Sequence, residues 1–184
     1  FRPNDEIGVY RAVFQIGFLV LFGLQAINQI LQPYLARYYA SGNLEALQRL
    51  VTLGSLAIFA MSSLCFFALL VFGERTLLFV FGESYSDGYA PLLVISLGFW
   101  IKGFSGPSAP LLKMAGYESL ALKSVSWVLV LNVVLTFFLV PEYGMIGAAV
   151  GSAASFSAWH FLLKFQCKKV LNVNTSAINY FFPR

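Results

Sequence analysis

Residues 97–116 read LGFWIKGFSGPSAPLLKMAG, which sets one lysine, Lys102, inside apolar sequence and follows it with Gly103, Gly106, Pro107 and Pro110. From 89 to 112 there is no other charge. A segment of this length and character can cross the roughly 30 Å hydrocarbon core of a bilayer as a helix. Glycine and proline end or kink helices. The stretch therefore predicts a membrane span with a charge near its middle and a break just after it.

The rest of the chain points to the same solvent. Of its 184 residues, 59% are hydrophobic and 11% charged, and the mean hydropathy of +0.76 lies outside the range of soluble domains. Residues 12–36, 50–72, 124–140 and 144–163 carry no charge. With 89–112 they predict an all-α membrane protein of about five transmembrane helices, near 12–33, 50–72, 89–112, 122–140 and 144–165 within a polytopic segment 1–171. A tail at 172–184 follows.

Charge predicts the orientation. Arg37, Arg49, Lys113, Lys123, Lys164, Lys168, Lys169 and Arg184 fall on one side of such a topology, and Arg2, Arg11 and Arg75 on the other. Basic residues concentrate in cytoplasmic loops, so the C-terminus is expected in the cytoplasm. Five spans then leave the N-terminal flank outside. The opening FRPNDEIGVYR lacks the pattern of a signal peptide. The chain is accordingly expected to be the C-terminal portion of a larger transmembrane protein. The net charge of +4 traces topology here and does not argue for nucleic acid as a partner. Cys65 in span two and Cys167 near the tail imply neither a disulfide nor a metal site.

Polar residues inside the spans are the informative ones. Gln25, Asn28, Gln29 and Gln32 recur at i, i+3, i+4 and i+7, which gathers four amides into one stripe of span one. Lipid cannot hydrogen-bond an amide, so the stripe serves either as glue between helices or as the wall of a substrate cavity. Span two reads as a nearly featureless, lipid-facing helix ending near Gly73, and TLLFVF beyond it as a short interfacial segment bounded by Gly82. Asn132 is expected to make a packing hydrogen bond, and VPEYG at 140–144 to force a tight exit from span four. Gly147, Gly151 and Ser155, four apart, give span five a face that another helix can approach closely. His160, the only histidine, sits near the cytoplasmic end of that span.

No Ser/His/Asp set, paired carboxylates, HExxH motif or P-loop can be assembled, and the acidic residues fall in predicted flanks and loops. A non-enzymatic protein is expected, with no catalytic residue, no metal and no cofactor. Lys102 remains. A charge at mid-bilayer costs roughly 2.5 kcal/mol or more, and this one lies too far from either end to snorkel comfortably. It is either a cation facing a hydrated cavity or one neutralised within the bundle. Broken helices beside an intramembrane charge recur at transporter binding sites, so the glycines and prolines after Lys102 read as a hinge.

Four motifs then occur in order: P-x-x-A-R-x-Y-A-x-G at 33–42, FGE-x-Y at 81–85, AGYE at 115–118 and PEYGMIGAA at 141–149. Over residues 8–171 the chain resembles the C-terminal half of bacterial polysaccharide and O-antigen flippases, in the superfamily they share with multidrug exporters. The resemblance implies a twelve-helix alternating-access transporter, with these five helices the last of its C-terminal lobe. It implies export of an undecaprenyl-pyrophosphate-linked oligosaccharide across the bacterial inner membrane, in O-antigen or lipopolysaccharide synthesis. The implied partners are that lipid-linked substrate, membrane lipids and the remaining N-terminal lobe, and it leaves room for a polysaccharide polymerase. On the residue reading, Lys102 would meet the diphosphate or an acidic sugar, and Gln25, Asn28, Gln29 and Gln32 would form the wall. Gly103, Gly106, Pro107 and Pro110 would form the hinge. A cation-coupled drug exporter of the same fold, or a membrane-embedded polysaccharide-assembly enzyme, are the alternatives.

Overall fold

The computed structural model describes residues 4–175. Its elements are α1 (Asn4–Ala40), α2 (Leu44–Phe81), a 3-10 segment (Glu83–Gly88), α3 (Tyr89–Gly103), α4 (Ser108–Met114) and α5 (Glu118–Leu171). No strand occurs among the described residues. Three helices are long and apolar enough to cross a membrane, and the α3–α4 pair, bent by 49°, makes a fourth crossing if taken as one span. This is an all-α, multi-pass membrane protein.

At 54 residues, α5 would run to about 80 Å if straight, more than twice the hydrocarbon thickness. Instead it is folded. Gly144 has φ +57° and ψ −132°, a mirror-β conformation open to glycine, and residues on its two sides meet again. The Gln166 side chain donates to Ser124 Oγ at 2.8 Å across the fold. A Cβ on Gly147 would run into the Leu139 carbonyl, and one on Gly151 would lie 3.3 Å from Thr136 Oγ1. The small-residue face of this segment thus packs on the preceding arm of the same helix. The helix expected to approach this face closely is that preceding arm.

Two other expectations change. The helix of α2 does not stop at Gly73, and TLLFVF is its last turns. Gly73 is buried against Tyr89 and Leu92, where a Cβ would lie 3.2 Å from the leucine, so its role is close packing. Gly82, at φ +92°, ends the helix. Nor is α2 featureless or wholly lipid-facing. Ser55 and Ser62, seven residues apart on one face, are fully buried, and Ser63 Oγ accepts from Trp100 Nε1 at 2.8 Å. At the other end of α2, Asn43 Oδ1 caps the helix by accepting from the Ala46 N–H at 3.0 Å.

The core has two apolar clusters. One gathers Val13, Leu21, Leu77, Leu92 and Phe99, the other Leu35, Leu47, Leu111 and Leu163. Phe99 is the hub of the first, edge-on to Phe14 and Phe18 of α1 and to Phe156 of α5. Along each long element the clusters are separated by a gap holding polar groups: Asn28 on α1, Ser55 and Ser62 on α2, Lys102 to Ser108 across α3 and α4, Ser155 and His160 on α5. The candidate site lies in this polar layer.

Candidate functional site

Lys102 occupies the last turn of α3, half-buried. Its position follows from a glycine one turn earlier. Gly98 leaves no room for a Cβ against Ala153, so α3 lies directly on the second arm of α5. Four residues on, the same face of α3 carries the lysine to the Phe156 ring. Its Nζ stands 5.6 Å from the ring centroid, within range of a cation–π interaction. Phe156 stacks in turn on His160, with centroids 6.2 Å apart, and His160 lies 4.8 Å from the Trp159 ring. No carboxylate pairs with Lys102 among the described residues. The reading in which the bundle neutralises the charge with a carboxylate therefore finds no partner there.

Unsatisfied polar atoms surround the same level. Asn28 Oδ1, Ser62 Oγ, Ser155 Oγ, Trp159 Nε1 and His160 Nε2 are buried without a hydrogen-bond partner. Such atoms cost about 1–3 kcal/mol each when left unpaired, and these five fall on the stretches between the two apolar clusters, whereas Ser96 Oγ and Gln166 Oε1, also unpartnered, fall within the clusters. An open groove of about 350 Å³ lies beside them between α1 and the two arms of α5, lined by Phe14, Asn132, Ser155, Phe156 and Trp159 among others. Phe156 is common to this groove and to the lysine. No group of three or more histidine, cysteine or acidic residues suited to a metal occurs among the described residues.

The break after Lys102 is real and closely packed. Gly103 ends α3, Gly106 takes φ +58°, and Pro107 precedes α4. Pro110 falls in the first turn of α4, where its missing N–H costs nothing. The freed backbone groups are satisfied locally: Ser105 N–H donates to the Lys102 carbonyl at 2.9 Å, and the Ser108 hydroxyl to the Ser105 carbonyl at 2.6 Å. That is the condition on which irregular backbone is tolerated in a membrane.

The amide stripe is not drawn into this arrangement as one unit. Gln25, Gln29 and Gln32 are exposed on the outer face of α1, and Asn28 alone turns inward. No hydrogen bond among the described residues joins any of the four to Lys102. In the sequence His160 carries little weight and Phe156 and Ser62 none, while Ser155 stands out only as part of the small-residue face of span five. The seven-residue spacing of Ser55 and Ser62 was a usable signal. The meeting of Phe156 and His160 with Lys102 joins segments more than fifty residues apart, and no local pattern announces it. The acidic residues other than Asp5, whose side chain lies outside the description, sit at helix ends or loops, with Glu74 and Arg75 exposed on the last turns of α2.

Over 157 residues, 85% of the chain, the sequence is 20% identical to a Haloferax volcanii protein named "Probable low-salt glycan biosynthesis flippase Agl15". The match takes in 33% of that protein, so the chain spans about a third of the length of the curated relative it matches. The two are distantly related. No family model matches the chain, and no solved structure matches it.

Proposed function

We propose that this chain forms part of a transporter that flips a lipid-linked glycan across a membrane, and that Lys102 meets the phosphate or an acidic sugar of that substrate. The observation that carries this reading is a lysine in the polar layer of a membrane bundle with an aromatic ring beside it and no carboxylate paired to it. A flippase must take an anionic headgroup through a medium that cannot solvate it. A fixed ammonium offsets part of that cost, and in low dielectric it attracts phosphate more strongly than in water. The distant likeness to a protein named a glycan biosynthesis flippase supports the same substrate class. Within it, the resemblance to bacterial O-antigen flippases favours an undecaprenyl-pyrophosphate-linked oligosaccharide, the inner membrane and a cytoplasmic C-terminus. Five crossings, the folded α5 supplying two, then form part of a C-terminal lobe of an alternating-access transporter. The polar layer, rather than the exposed amides of α1 alone, is the wall that sugar hydroxyls would meet, and the α3–α4 break is the hinge.

The test is complementation of a cell deleted for the full-length parent. Wild type restores surface glycan, Lys102→Arg retains export, and Lys102→Leu at matched protein level loses it. Normal export by the leucine variant removes Lys102 from the site, and failure of wild type to restore glycan removes the transport reading itself.

A further inference from the structure

Beyond α5 the chain turns back into the bundle. Asn172 adopts φ +54°, a left-handed conformation that asparagine tolerates better than most residues, and the three residues after it run without helical structure. Val173 is buried among the leucines of the second cluster. The backbone of Asn174 is held from both sides by one amide: its N–H donates to Gln48 Oε1 at 2.9 Å, and Gln48 Nε2 donates to its carbonyl at 2.8 Å. Thr175 is 0% exposed.

The destination of this segment is the helix break. The Ser55 hydroxyl of α2, shared with the Val51 carbonyl, lies 2.9 Å from the Thr175 carbonyl. Thr175 Oγ1 and Ser108 Oγ lie 2.7 Å apart, and because Ser108 gives its proton to the Ser105 carbonyl, the threonine is the donor. Gly106 completes the seat: a Cβ there would collide with the Thr175 carbonyl and the Ser55 side chain. Thus one short strap is tied to α2 and to the break between α3 and α4.

We infer that residues 172–175 are a latch that holds the α3–α4 break in the bent state seen here, and that the latch must release for the break to move. The physical reason is shared partners. Any motion that shifts Ser108 or Gly106 relative to α2 strains hydrogen bonds to the strap, and a residue buried this completely cannot follow both elements. The latch needs only that the break moves. Its functional readout rests on the transport reading.

The experiment uses the full-length parent with Cys65 and Cys167 replaced by alanine and with Ser108→Cys and Thr175→Cys added. A membrane-permeant oxidant should join the two thiols, and export should fall roughly tenfold or more and return with reductant, as expected of a gating element. Export undiminished at complete cross-linking overturns the latch, because the strap then never leaves. Thiols that fail to join overturn it as well, because the strap is then not seated at the break. If the reduced double variant is itself inactive, Thr175→Cys alone decides by maleimide labelling. Slow labelling that Gln48→Ala speeds roughly tenfold supports the latch, and labelling as fast as that of an exposed Ser41→Cys rejects it. Complementation by wild type reports on the transport reading separately, so the two failures are told apart.

Discussion

Two glycines sit at helix breaks with nearly the same φ, Gly106 at +58° and Gly144 at +57°, and with opposite results. At Gly144 the chain reverses and its two arms pack on each other, Gly147 against Leu139 and Ser124 against Gln166. At Gly106 it only bends, by 49°, and carries on into α4. A glycine with positive φ marks each break, and the two breaks are packed differently. Gly144 is followed by a small-residue face that lets the returning arm touch backbone, whereas Gly106 is held between Ser55 and Thr175 from outside its own helices.

The comparison can be broken most severely at the pinned break. Gly106→Leu combines a positive φ, which costs roughly 1–2 kcal/mol, with overpacking of roughly 1–3 kcal/mol, so a loss of about 3 kcal/mol or more is expected. The monodisperse fraction of the solubilised parent after heating should collapse well below the wild-type melting temperature. An unchanged melting temperature would show that the strap does not occupy the seat. Gly147→Leu tests the reversing break. Its side chain meets the Leu139 carbonyl, so about 2 kcal/mol of overpacking is expected, read by the same thermal assay. It should also lower the yield of a disulfide between Ser124→Cys and Gln166→Cys, and full cross-linking in that background would sink the hairpin packing. The smallest effect is expected from Ser124→Ala, which removes one interarm hydrogen bond worth about 1 kcal/mol. A loss several times larger would mean that this bond, and not the glycine face, holds the arms.

Much of the local punctuation is legible in the residues. Lys102 with the glycines and prolines after it predicts a charged, broken helix, and VPEYG predicts the turn at Gly144; both features are present. Gly73 misleads because glycine serves two purposes, and sequence does not say which. Here its missing side chain admits Tyr89 and Leu92, and the helix runs on. The amide stripe is a true helical stripe, yet three of its four members face outward from the described bundle, because periodicity places residues on a common face without saying what that face meets.

By itself the sequence determined the solvent and the helical class. Charge-free runs cannot be hydrated at reasonable cost, and backbone groups in lipid must be satisfied within helices, so apolar composition suffices to set a membrane-embedded, all-α chain, while breaker residues mark where its helices can fail without deciding, as at Gly73, that they do. Only the tertiary structure decided what the lysine meets and what the breaks do. Lys102 reaches Phe156, and Thr175 reaches Gly106 and Ser108, across long separations in sequence. Such contacts are selected by which faces fit together once the helices pack, and no window along the chain contains both partners.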